Sequence, residues 1–493
     1  MDVAALTPVR QRLLIAAVMS GLLLAMLDQT IVGTALPRIV EQLGGQDLYL
    51  WVVTVYLVPA TVSLPIYARM SDRHGRRPLL LIGMTLFLGG SALSAVAGSM
   101  EQLIAWRGMQ GLGAGALEGL SFILVADLFR GQRNAALQGA MAGLMGFSFI
   151  AGPLVGGLLT DQVGWRWCFL VNLPIGIAAM VVVGRVLPAS VGRSERRGAP
   201  VDLLGIALLT GAVGLLLVGL SERTHAAADG TLPAWAELRT GGLIVAGLLL
   251  LVAFVVAERR AASPIVPLAL FSDRRTAALL AAGAAGTFGL FAGVLLLPRY
   301  FQLVRDVSAT HSGLLVYPLL LGIIVSANVA GIVISRRLEF RRPVLVGLAL
   351  ASLGALGFAT FDASTPDWAS LLFMGLMGVG LGPMLSGLQI ATMRTVTPAM
   401  IGAALGTLLL LRQVGGSIAL ASSESVYAAG LHGDAAANAA TATGTGVFAI
   451  TLTGAAIAAI AMLSLPRGGG RLPPLPAGPP AQAAAPAPQP AAT

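Results

Sequence analysis

Long apolar stretches alternate with short polar segments along almost the whole chain. A helix needs about 20 mostly apolar residues to cross the hydrocarbon core of a membrane. Fourteen stretches reach roughly this length, and they are too long and too continuously apolar to be the strands of a membrane barrel. The predicted spans are 13–36, 48–67, 79–98, 102–126, 136–158, 166–187, 203–221, 241–257, 276–298, 312–334, 344–361, 369–392, 401–423 and 444–464. The pattern therefore predicts an all-α integral membrane protein with fourteen transmembrane helices.

The composition supports this interpretation. Hydrophobic residues make up 56% of the chain and charged residues only 11%, whereas soluble proteins carry about 25% charged residues. The single cysteine, Cys168, excludes an intramolecular disulfide and is expected to serve packing. No phosphate-binding loop, zinc-spaced Cys/His set or Gly-x-Ser-x-Gly turn occurs. We therefore expect no metal and no cofactor, and we expect that the protein is not an enzyme.

The net charge of +9 comes from arginines that sit in short clusters between the apolar stretches, which does not fit a nucleic-acid footprint. If the chain starts inside, 23 arginines lie on the inner side, 6 on the outer side and 2 within spans. Because inner loops of membrane proteins are enriched in Lys and Arg, both termini are predicted to be cytoplasmic. The first apolar stretch is longer than that of a signal peptide, so we expect it to remain as the first helix of a multi-pass protein. The expected location is a bacterial cytoplasmic (inner) membrane.

An internal repeat suggests how the spans are grouped. Arg76-Arg77-Pro78 opens the third span, and Arg341-Arg342-Pro343 opens the eleventh. Two six-helix bundles around a midplane site are a common transporter layout. We therefore predict an N-terminal bundle over 1–187, an inserted pair, helices 7 and 8 with their cytoplasmic linkers, over 188–275, and a C-terminal bundle over 276–465. The Pro/Ala-rich segment 466–493 is predicted to be a disordered cytoplasmic tail, either passive or carrying a Pro-rich binding motif.

Three charged residues lie deep within predicted spans: Asp28, Arg107 and Glu118. Such charges cost about 2.5–3.5 kcal/mol each on insertion scales, so they usually have a function. Asp28 and Arg107 are expected at similar depth, where they form either a proton-coupling site or a permanent ion pair that fixes helix packing. Glu118 lies near the same helix face as Arg107, about three turns away. It remains a candidate proton carrier, substrate counter-charge or helix lock.

Polar residues near these charges are candidates for a substrate cavity. Gln29 and Gln110 flank the charged positions, and Arg412 with Gln413 lies in the middle of the thirteenth span. Arg412 is expected either to line the cavity or to pair with a carbonyl or an acid across the halves. Glu424 lies near the outer end of the same span, where contact with water is the plain expectation.

The densest charged loop lies between the second and third spans and contains Asp72, Gly75, Arg76 and Arg77. Gly75 allows a tight turn with positive φ, and Asp72 can cap a helix end or pair with an arginine. The loop could latch two helix ends in one state of the protein, or it could simply set the topology. His74 in this loop is expected to be solvated.

The fifth span carries Gly152, Pro153, Gly156 and Gly157. Proline kinks a helix because it removes a backbone hydrogen bond, and glycines let helices approach closely. This combination suits a pivot between two packed bundles.

Taken together, these segments resemble the fourteen-helix drug:proton antiporters of the major facilitator superfamily. Leu27–Pro37 is similar to the family's first-helix signature, and Ala68–Arg77 is similar to its gating-loop signature. Arg107–Ala114 resembles the helix-four signature, and Ser148–Gly157 resembles the helix-five antiporter signature. Trp165–Pro174 and Val201–Gly205 also look like family segments. The chain departs from the family pattern at Ala68 and Ser148, where glycine is usual, and at Met70, where leucine is usual.

The resemblance implies two six-helix bundles with two inserted helices. It ties Asp28 and Arg107 to proton coupling, the Asp72 to Arg77 loop to gating, and the helix-five signature to export. The implied function is efflux of lipophilic or cationic drug-like molecules in exchange for protons; a dedicated exporter of one metabolite or lipid is the alternative. The expected partners are a small-molecule substrate, protons and the lipid bilayer, with no nucleic acid, and the protein is expected to be a monomer. A channel would need a repeated polar pore ring, which the sequence does not show.

Overall fold

The computed structural model is built from α-helices that run between the two faces of one bundle. It describes residues 7–45, 48–128, 135–188, 191, 202–222, 236–261, 264–361, 365–397, 400–430, 435–466 and 469–472. The helices are α1 Pro8–Leu43, α2 Tyr49–His74, α3 Arg76–Ala95, α4 Met100–Leu128, α5 Ala135–Gln162, α6 Trp167–Leu170, α7 Asn172–Val186, α8 Leu203–Glu222, α9 Leu243–Glu258, α10 Arg274–Ala285, α11 Phe288–Val304, α12 Ala309–Leu315, α13 Tyr317–Arg337, α14 Arg341–Phe358, α15 Asp367–Gly382, α16 Leu388–Thr395, α17 Ile401–Gly430 and α18 Ala435–Leu463.

These helices confirm the predicted all-α membrane fold. Eleven helical segments in the described part of the chain are long and apolar enough to cross a membrane. The three other predicted spans, 48–67, 102–126 and 136–158, coincide with the long helices α2, α4 and α5. Each predicted span thus corresponds to one long helix or to a helix with a local break.

The breaks have local causes in the sequence. The span near 369–392 is interrupted between α15 and α16 by a π-helical turn over Pro383–Gly387. Proline has no backbone N–H, so Pro383 cannot donate the regular helix hydrogen bond. Two carbonyl oxygens within this turn, those of Met384 and Leu385, accept hydrogen bonds from Arg412.

The hydrophobic core divides along the chain. One large cluster of buried side chains is drawn mainly from residues between Leu14 and Val266. Two further clusters are drawn from residues between Ala278 and Leu472. We call the part up to α7 the N-half and the part from α10 onward the C-half; the exact domain boundaries remain a prediction.

The two halves meet near the end of the bundle where α1 ends and α2 begins, which we call the opposite face. The end that holds the start of α1 is the termini face. At the opposite face, Gln302 Nε2 of α11 donates to the carbonyl oxygen of Thr34 in α1 at 3.1 Å. Asp161 at the end of α5 accepts hydrogen bonds from Thr310 N at 2.7 Å and Thr310 Oγ1 at 2.5 Å. These contacts join the N-half to the C-half directly.

At the termini face, an equivalent backbone hydrogen bond connects two distant segments within each half. In the N-half, the backbone N–H of Arg76 donates to the carbonyl oxygen of Val191, which follows α7, at 3.0 Å. In the C-half, the N–H of Phe340 donates to the carbonyl oxygen of Gly470, which follows α18, at 3.0 Å. Both bonds tie the Arg-Arg-Pro loop to the chain beyond the sixth span of its half, so the internal repeat seen in the sequence has a structural counterpart.

The C-terminal closing segment, residues 469–472, is more ordered than its composition suggests. Leu472 is only 5% exposed, and its backbone N–H donates to Leu338 O at 2.7 Å. Glu339 and Arg471 form an isolated antiparallel bridge. The folded part of the chain therefore extends a few residues past the predicted tail boundary at 466, because a short strand-like pairing adds hydrogen bonds that hydropathy does not reveal.

Candidate functional site

Asp28 and Arg107 meet in the interior of the N-half, as their matched depths predicted. Arg107 Nη1 donates to Asp28 Oδ2, and the two side chains are 1% and 0% exposed. Arg107 Nε also donates to the carbonyl oxygen of Val52 at 3.3 Å. Its guanidinium lies 4.1 Å from the centre of the Tyr56 ring, within the range of a cation–π interaction.

The second oxygen of Asp28 is also occupied. Asp28 Oδ1 accepts hydrogen bonds from Gln110 Nε2 at 2.8 Å and from Asn172 Nδ2 at 3.1 Å. Both amides also donate to Ser91 Oγ, at 3.3 Å and 2.9 Å. Asp28 therefore accepts from a charged donor on Oδ2 and from two neutral amides on Oδ1.

Two members of this network, Ser91 and Asn172, were missed as functional residues. Asn172 lies within the family-like segment Trp165–Pro174, and it is buried at the start of α7. Ser91 sits in α3 among small apolar residues. A buried asparagine in an apolar span is the one signal in the sequence that could have identified this part of the site, because buried polar groups need partners.

Glu118 occupies a different environment from Asp28. Its Oε1 accepts one hydrogen bond, from Gln29 Nε2 at 2.8 Å, and the residue is 9% exposed. Across the described residues, the ion pairs found do not involve Glu118. Because Gln29 follows Asp28 in α1, the two acidic sites are linked through adjacent residues of one helix. Glu118 is a buried carboxylate with a neutral partner, whereas Asp28 is a carboxylate with a charged one.

A cavity lies beside these groups, between the two halves. The N-half contributes polar lining through Gln29, Thr30 and Arg107, and the C-half contributes apolar lining through Phe291 and Val294. The cavity measures about 70 Å³, which is below the roughly 300–1,000 Å³ of sites for drug-sized ligands. A larger molecule can enter only if the halves separate.

Arg412 is buried within the C-half. Its Nη2 donates to the carbonyl oxygens of Met384 and Leu385, both at 2.6 Å, in the π-helical turn between α15 and α16. Arg412 thus pairs with carbonyls of its own half, whereas from the sequence such a pairing is expected across the halves. The neighbouring Gln413 accepts a hydrogen bond on its backbone oxygen from Ser417 at 3.0 Å. A role for Arg412 and Gln413 in the cavity remains a prediction.

The loop between α2 and α3 places its arginines against helix ends. Gly75 has φ +89° and links the two helices, as expected for a tight turn. Arg76 is 5% exposed, and its Nη1 donates to Ile123 O in α4 at 3.3 Å. Arg77 Nη2 donates to Gly184 O near the end of α7. His74 is exposed as predicted, and the side chain of Asp72 lies outside the described residues.

The helix-five glycines lie at contacts with both halves. A Cβ on Gly156 would lie 2.6 Å from Ile31 O in α1. A Cβ on Gly157 would lie 2.7 Å from Ala309 O and from Thr310 N in the C-half. A Cβ on Gly152 would meet the Thr30 side chain. Pro153 lies inside α5, and its carbonyl oxygen would be 2.6 Å from a Cβ on Gly313 of α12. The glycines therefore permit the close approach of α5 to α1 and to α12.

Glu424 and Arg299 correct the sequence analysis. From the sequence, Glu424 is expected to contact water, and the predicted ninth span, 276–298, leaves Arg299 outside the apolar stretch. The structure buries both, at 5% and 3% exposure, and Arg299 Nη1 donates to Glu424 Oε1 at 2.6 Å. The prediction ended the ninth span at Pro298, but α11 continues through this proline to Val304, which carries Arg299 into the bundle.

The long apolar helices and the two packed halves with a cavity between them form the architecture of a multi-pass membrane transporter. The family model of the Major Facilitator Superfamily matches residues 18–420, and the chain belongs to this family.

Three relatives have names that describe drug transport, drug resistance or export. The chain is 31% identical to multidrug resistance protein 3 of Bacillus subtilis, over 84% of this chain and 79% of that protein. It is 30% identical to the multidrug transporter protein MdtP of the same organism, over 83% and 74%. It is 34% identical to the tetracenomycin C resistance and export protein of Streptomyces glaucescens, over 82% and 74%.

Solved structures of transporters share the fold. The nucleoside transporter NupG matches with a TM-score of 0.64 and 13% identity, over 92% of this chain and 99% of that one. The human organic anion transporter MFSD10 matches with a TM-score of 0.57 and 18% identity, over 93% and 99%. These similarities concern the fold alone and confirm the predicted major facilitator architecture.

Proposed function

We propose that the protein is a proton-coupled exporter of small lipophilic or cationic molecules that works by alternating access. In this proposal it lies in a bacterial cytoplasmic membrane, the termini face is cytoplasmic and the opposite face is external. The arginine distribution supports this orientation. The names of the multidrug and tetracenomycin C relatives support drug-like substrates and export.

The observation that carries the proposal is the contrast between Glu118 and Asp28. Asp28 is held by Arg107 and two amides, so protonating it would disrupt several bonds at once. Glu118 has one neutral partner, Gln29. Burial without a nearby cation makes the charged form of a carboxylate costly. Glu118 is therefore the residue on which we place the transported proton, and Asp28 with Arg107 positions the surrounding helices.

Gln29 can follow the protonation of Glu118. In the ionised state, the Gln29 amide N–H donates to Glu118 Oε1. A protonated Glu118 becomes a donor, and rotation of the Gln29 amide then offers its carbonyl oxygen as the acceptor. This exchange changes the hydrogen bonding of a residue that also lines the inter-half cavity. Proton binding is thereby coupled to the shape and polarity of the substrate site.

The transport cycle follows from this coupling. With the opposite face open, substrate leaves and Glu118 takes up a proton from outside. The halves then close at the opposite face and separate at the termini face. Glu118 releases its proton to the cytoplasm, where its negative charge is available for a cationic substrate that binds against the apolar wall of α11.

The test is efflux from reconstituted vesicles driven by an imposed pH gradient, with a panel of cationic dyes, antibiotics and lipids. Wild-type protein is expected to move several lipophilic cations and to move protons in the opposite direction. Glu118→Gln is expected to abolish the dependence on the pH gradient. Transport that ignores both the pH gradient and the membrane voltage would contradict the proposal. Transport of one compound only would favour the dedicated exporter.

A further inference from the structure

Four side chains form a buried cluster with one ion pair at the opposite face, and none of them belongs to the hydrogen-bond networks of Asp28 and Glu118 described above. We call Tyr49, Arg299, Glu424 and Tyr427 the gate cluster. Arg299 Nη1 and Glu424 Oε1 are 2.6 Å apart, and both side chains are more than nine-tenths buried. Charges buried at such a depth usually have a function, because their desolvation must be offset by specific partners.

The aromatic rings of the cluster hold Arg299 from both halves. The guanidinium carbon lies 4.2 Å from the centre of the Tyr427 ring and 4.5 Å from that of Tyr49. Tyr427 belongs to α17 of the C-half, like Glu424, whereas Tyr49 begins α2 of the N-half. The stacking of Tyr49 on Arg299 is therefore a contact between the halves. A cation–π interaction is strongest when it is shielded from water, as it is here.

The cluster is not fully satisfied when closed. Glu424 Oε2 and the Tyr49 hydroxyl are buried, and each is without a hydrogen-bond partner among the residues that the structure describes. Leaving such groups unpaired destabilises the closed arrangement, and water would satisfy them if the halves separated. Two opposing effects thus meet at one place: the Tyr49 ring favours closure, and hydration of the ion pair favours opening.

We propose that the gate cluster is the gate of the opposite face. The stacking of Tyr49 on Arg299 holds the two halves together, and withdrawal of Tyr49 exposes the Arg299–Glu424 pair to water, which stabilises the open form. Two other hydrogen bonds between the halves at this face, Gln302 to Thr34 and Asp161 to Thr310, must break when the face opens. The inference rests on alternating access from the proposed function, but not on proton coupling.

The natural chain allows a clean accessibility experiment, because Cys168 is its only cysteine and is buried. In a Cys168→Ala background, Thr34→Cys is the reporter: Thr34 is 1% exposed and lies beside the closed contact. Val163→Cys, at a position 55% exposed, calibrates the reagent. The purified protein is treated in detergent with a water-soluble maleimide, so that both faces are accessible.

Tyr49→Leu removes the ring and Tyr49→Phe keeps it, which makes them a matched pair. Tyr49→Leu is expected to increase the labelling rate of the Thr34→Cys reporter roughly tenfold, and Tyr49→Phe to leave it within about twofold. Glu424→Gln leaves Arg299 without a counter-charge and is expected to increase labelling as well, because hydration then favours the open form.

A folding control separates gating from unfolding. The same substitutions are made in the protein that retains Cys168, whose labelling reports loss of the N-half core. If Tyr49→Leu exposes Cys168, the N-half of that variant has unfolded, and labelling of the Thr34→Cys reporter in Glu424→Gln tests the gate instead. If the Thr34→Cys reporter stays protected in the correctly folded variants, the gate assignment is wrong. Failure of proton coupling would appear only in flux measurements and would leave this labelling result unchanged.

Discussion

Gln29 donates a hydrogen bond to Glu118 across 2.8 Å, and it is the residue directly after Asp28 in α1. Adjacent residues of α1 therefore contact both acidic sites. Asp28 is itself paired on both carboxylate oxygens, whereas Gln29 is the single hydrogen-bond partner of Glu118 in the described part of the chain. This division assigns different consequences to substitutions of the two carboxylates.

Glu118→Gln is expected to keep the fold and lose proton coupling. Glutamine resembles a protonated glutamate in size and polarity, and Gln29 can still pair with it. We expect pH-driven efflux to fall about tenfold or more, because glutamine cannot bind and release the transported proton. Substrate exchange without a pH gradient is expected to persist. The measurement is efflux against exchange in the same proteoliposomes. Equal losses in both would point to substrate binding or packing instead.

Asp28→Asn is expected to destabilise the protein. Arg107 would keep its buried position but lose its charged partner, and breaking a buried pair costs about 3–5 kcal/mol. Thermal unfolding of the purified protein in detergent measures this loss. The double variant Asp28→Asn with Arg107→Gln removes the unpaired charge and is expected to recover much of the stability. No recovery would mean that the cost lies in the amide network around Asp28.

Gly157→Ala is expected to weaken closure at the opposite face. The added Cβ would lie 2.7 Å from Ala309 O and Thr310 N, so α5 and α12 must move apart. Overpacking of this kind costs about 1–3 kcal/mol. Gly214→Ala in α8 is the matched control, because no atom lies within 4 Å of its added Cβ. Thermal stability should fall for the first variant and stay level or rise for the second; the reverse order would contradict the packing argument.

Asp273 provides a prediction for pH dependence outside the membrane spans. It caps α10, accepting hydrogen bonds from Thr276 N at 3.0 Å and Thr276 Oγ1 at 2.8 Å. Partial burial raises the pKa of Asp273, but the bonds from Thr276 outweigh this effect and hold the pKa below its ordinary value of 3.8. A lowered pKa means that the stabilisation is fully present above the ordinary value and is lost as pH falls through the lowered one.

The corresponding experiment compares two substitutions at this cap. Asp273→Ala is expected to cost about 1 kcal/mol of stability near neutral pH, as the loss of a cap usually does. The difference from wild type should shrink only under strongly acidic conditions. Asp273→Asn keeps a capping oxygen without the charge, so its stability relative to Asp273→Ala should not depend on pH. A difference that already disappears around pH 6 would contradict the sign of the shift.

The closing segment after α18 is expected to contribute to stability, unlike the chain beyond it. Leu472→Ala removes a side chain that is 5% exposed and should cost about 2–5 kcal/mol. Deletion of residues 467–493 should have a similar or larger effect. Deletion of residues 473–493 alone, which the sequence predicts to be a disordered tail, is the control and should leave the thermal unfolding midpoint unchanged.

Much of the fold could be predicted from hydropathy, because lipid imposes a simple rule on each span. A backbone in hydrocarbon must satisfy its own hydrogen bonds, so about 20 apolar residues predict one helix. The pairing of Asp28 with Arg107 could be anticipated from their depths, since each charge needs a partner. Of the other partners, only Asn172 had a signal in the sequence, as a polar residue in an apolar span; its contacts and those of Ser91 depend on how α3 and α7 pack.

The errors have a common physical cause. Arg299 and Glu424 lie near the ends of their spans, where a charge can be solvated or buried with equal ease on hydropathy grounds. The neighbouring halves decide between these outcomes, and hydropathy contains no information about neighbours. The same reason explains Leu472, whose burial depends on a loop more than 130 positions earlier in the chain.

The backbone bonds Arg76 N to Val191 O and Phe340 N to Gly470 O make each half a closed structural unit. An interruption of the polypeptide within residues 192–201 would cut neither of them. Two separately synthesised fragments, cut within this segment, would therefore each keep the backbone hydrogen bond that closes their half and could assemble in the bilayer. Because neither bond involves the chain between Val191 and α10, the helices α8 and α9 lie between two units that are each closed without them.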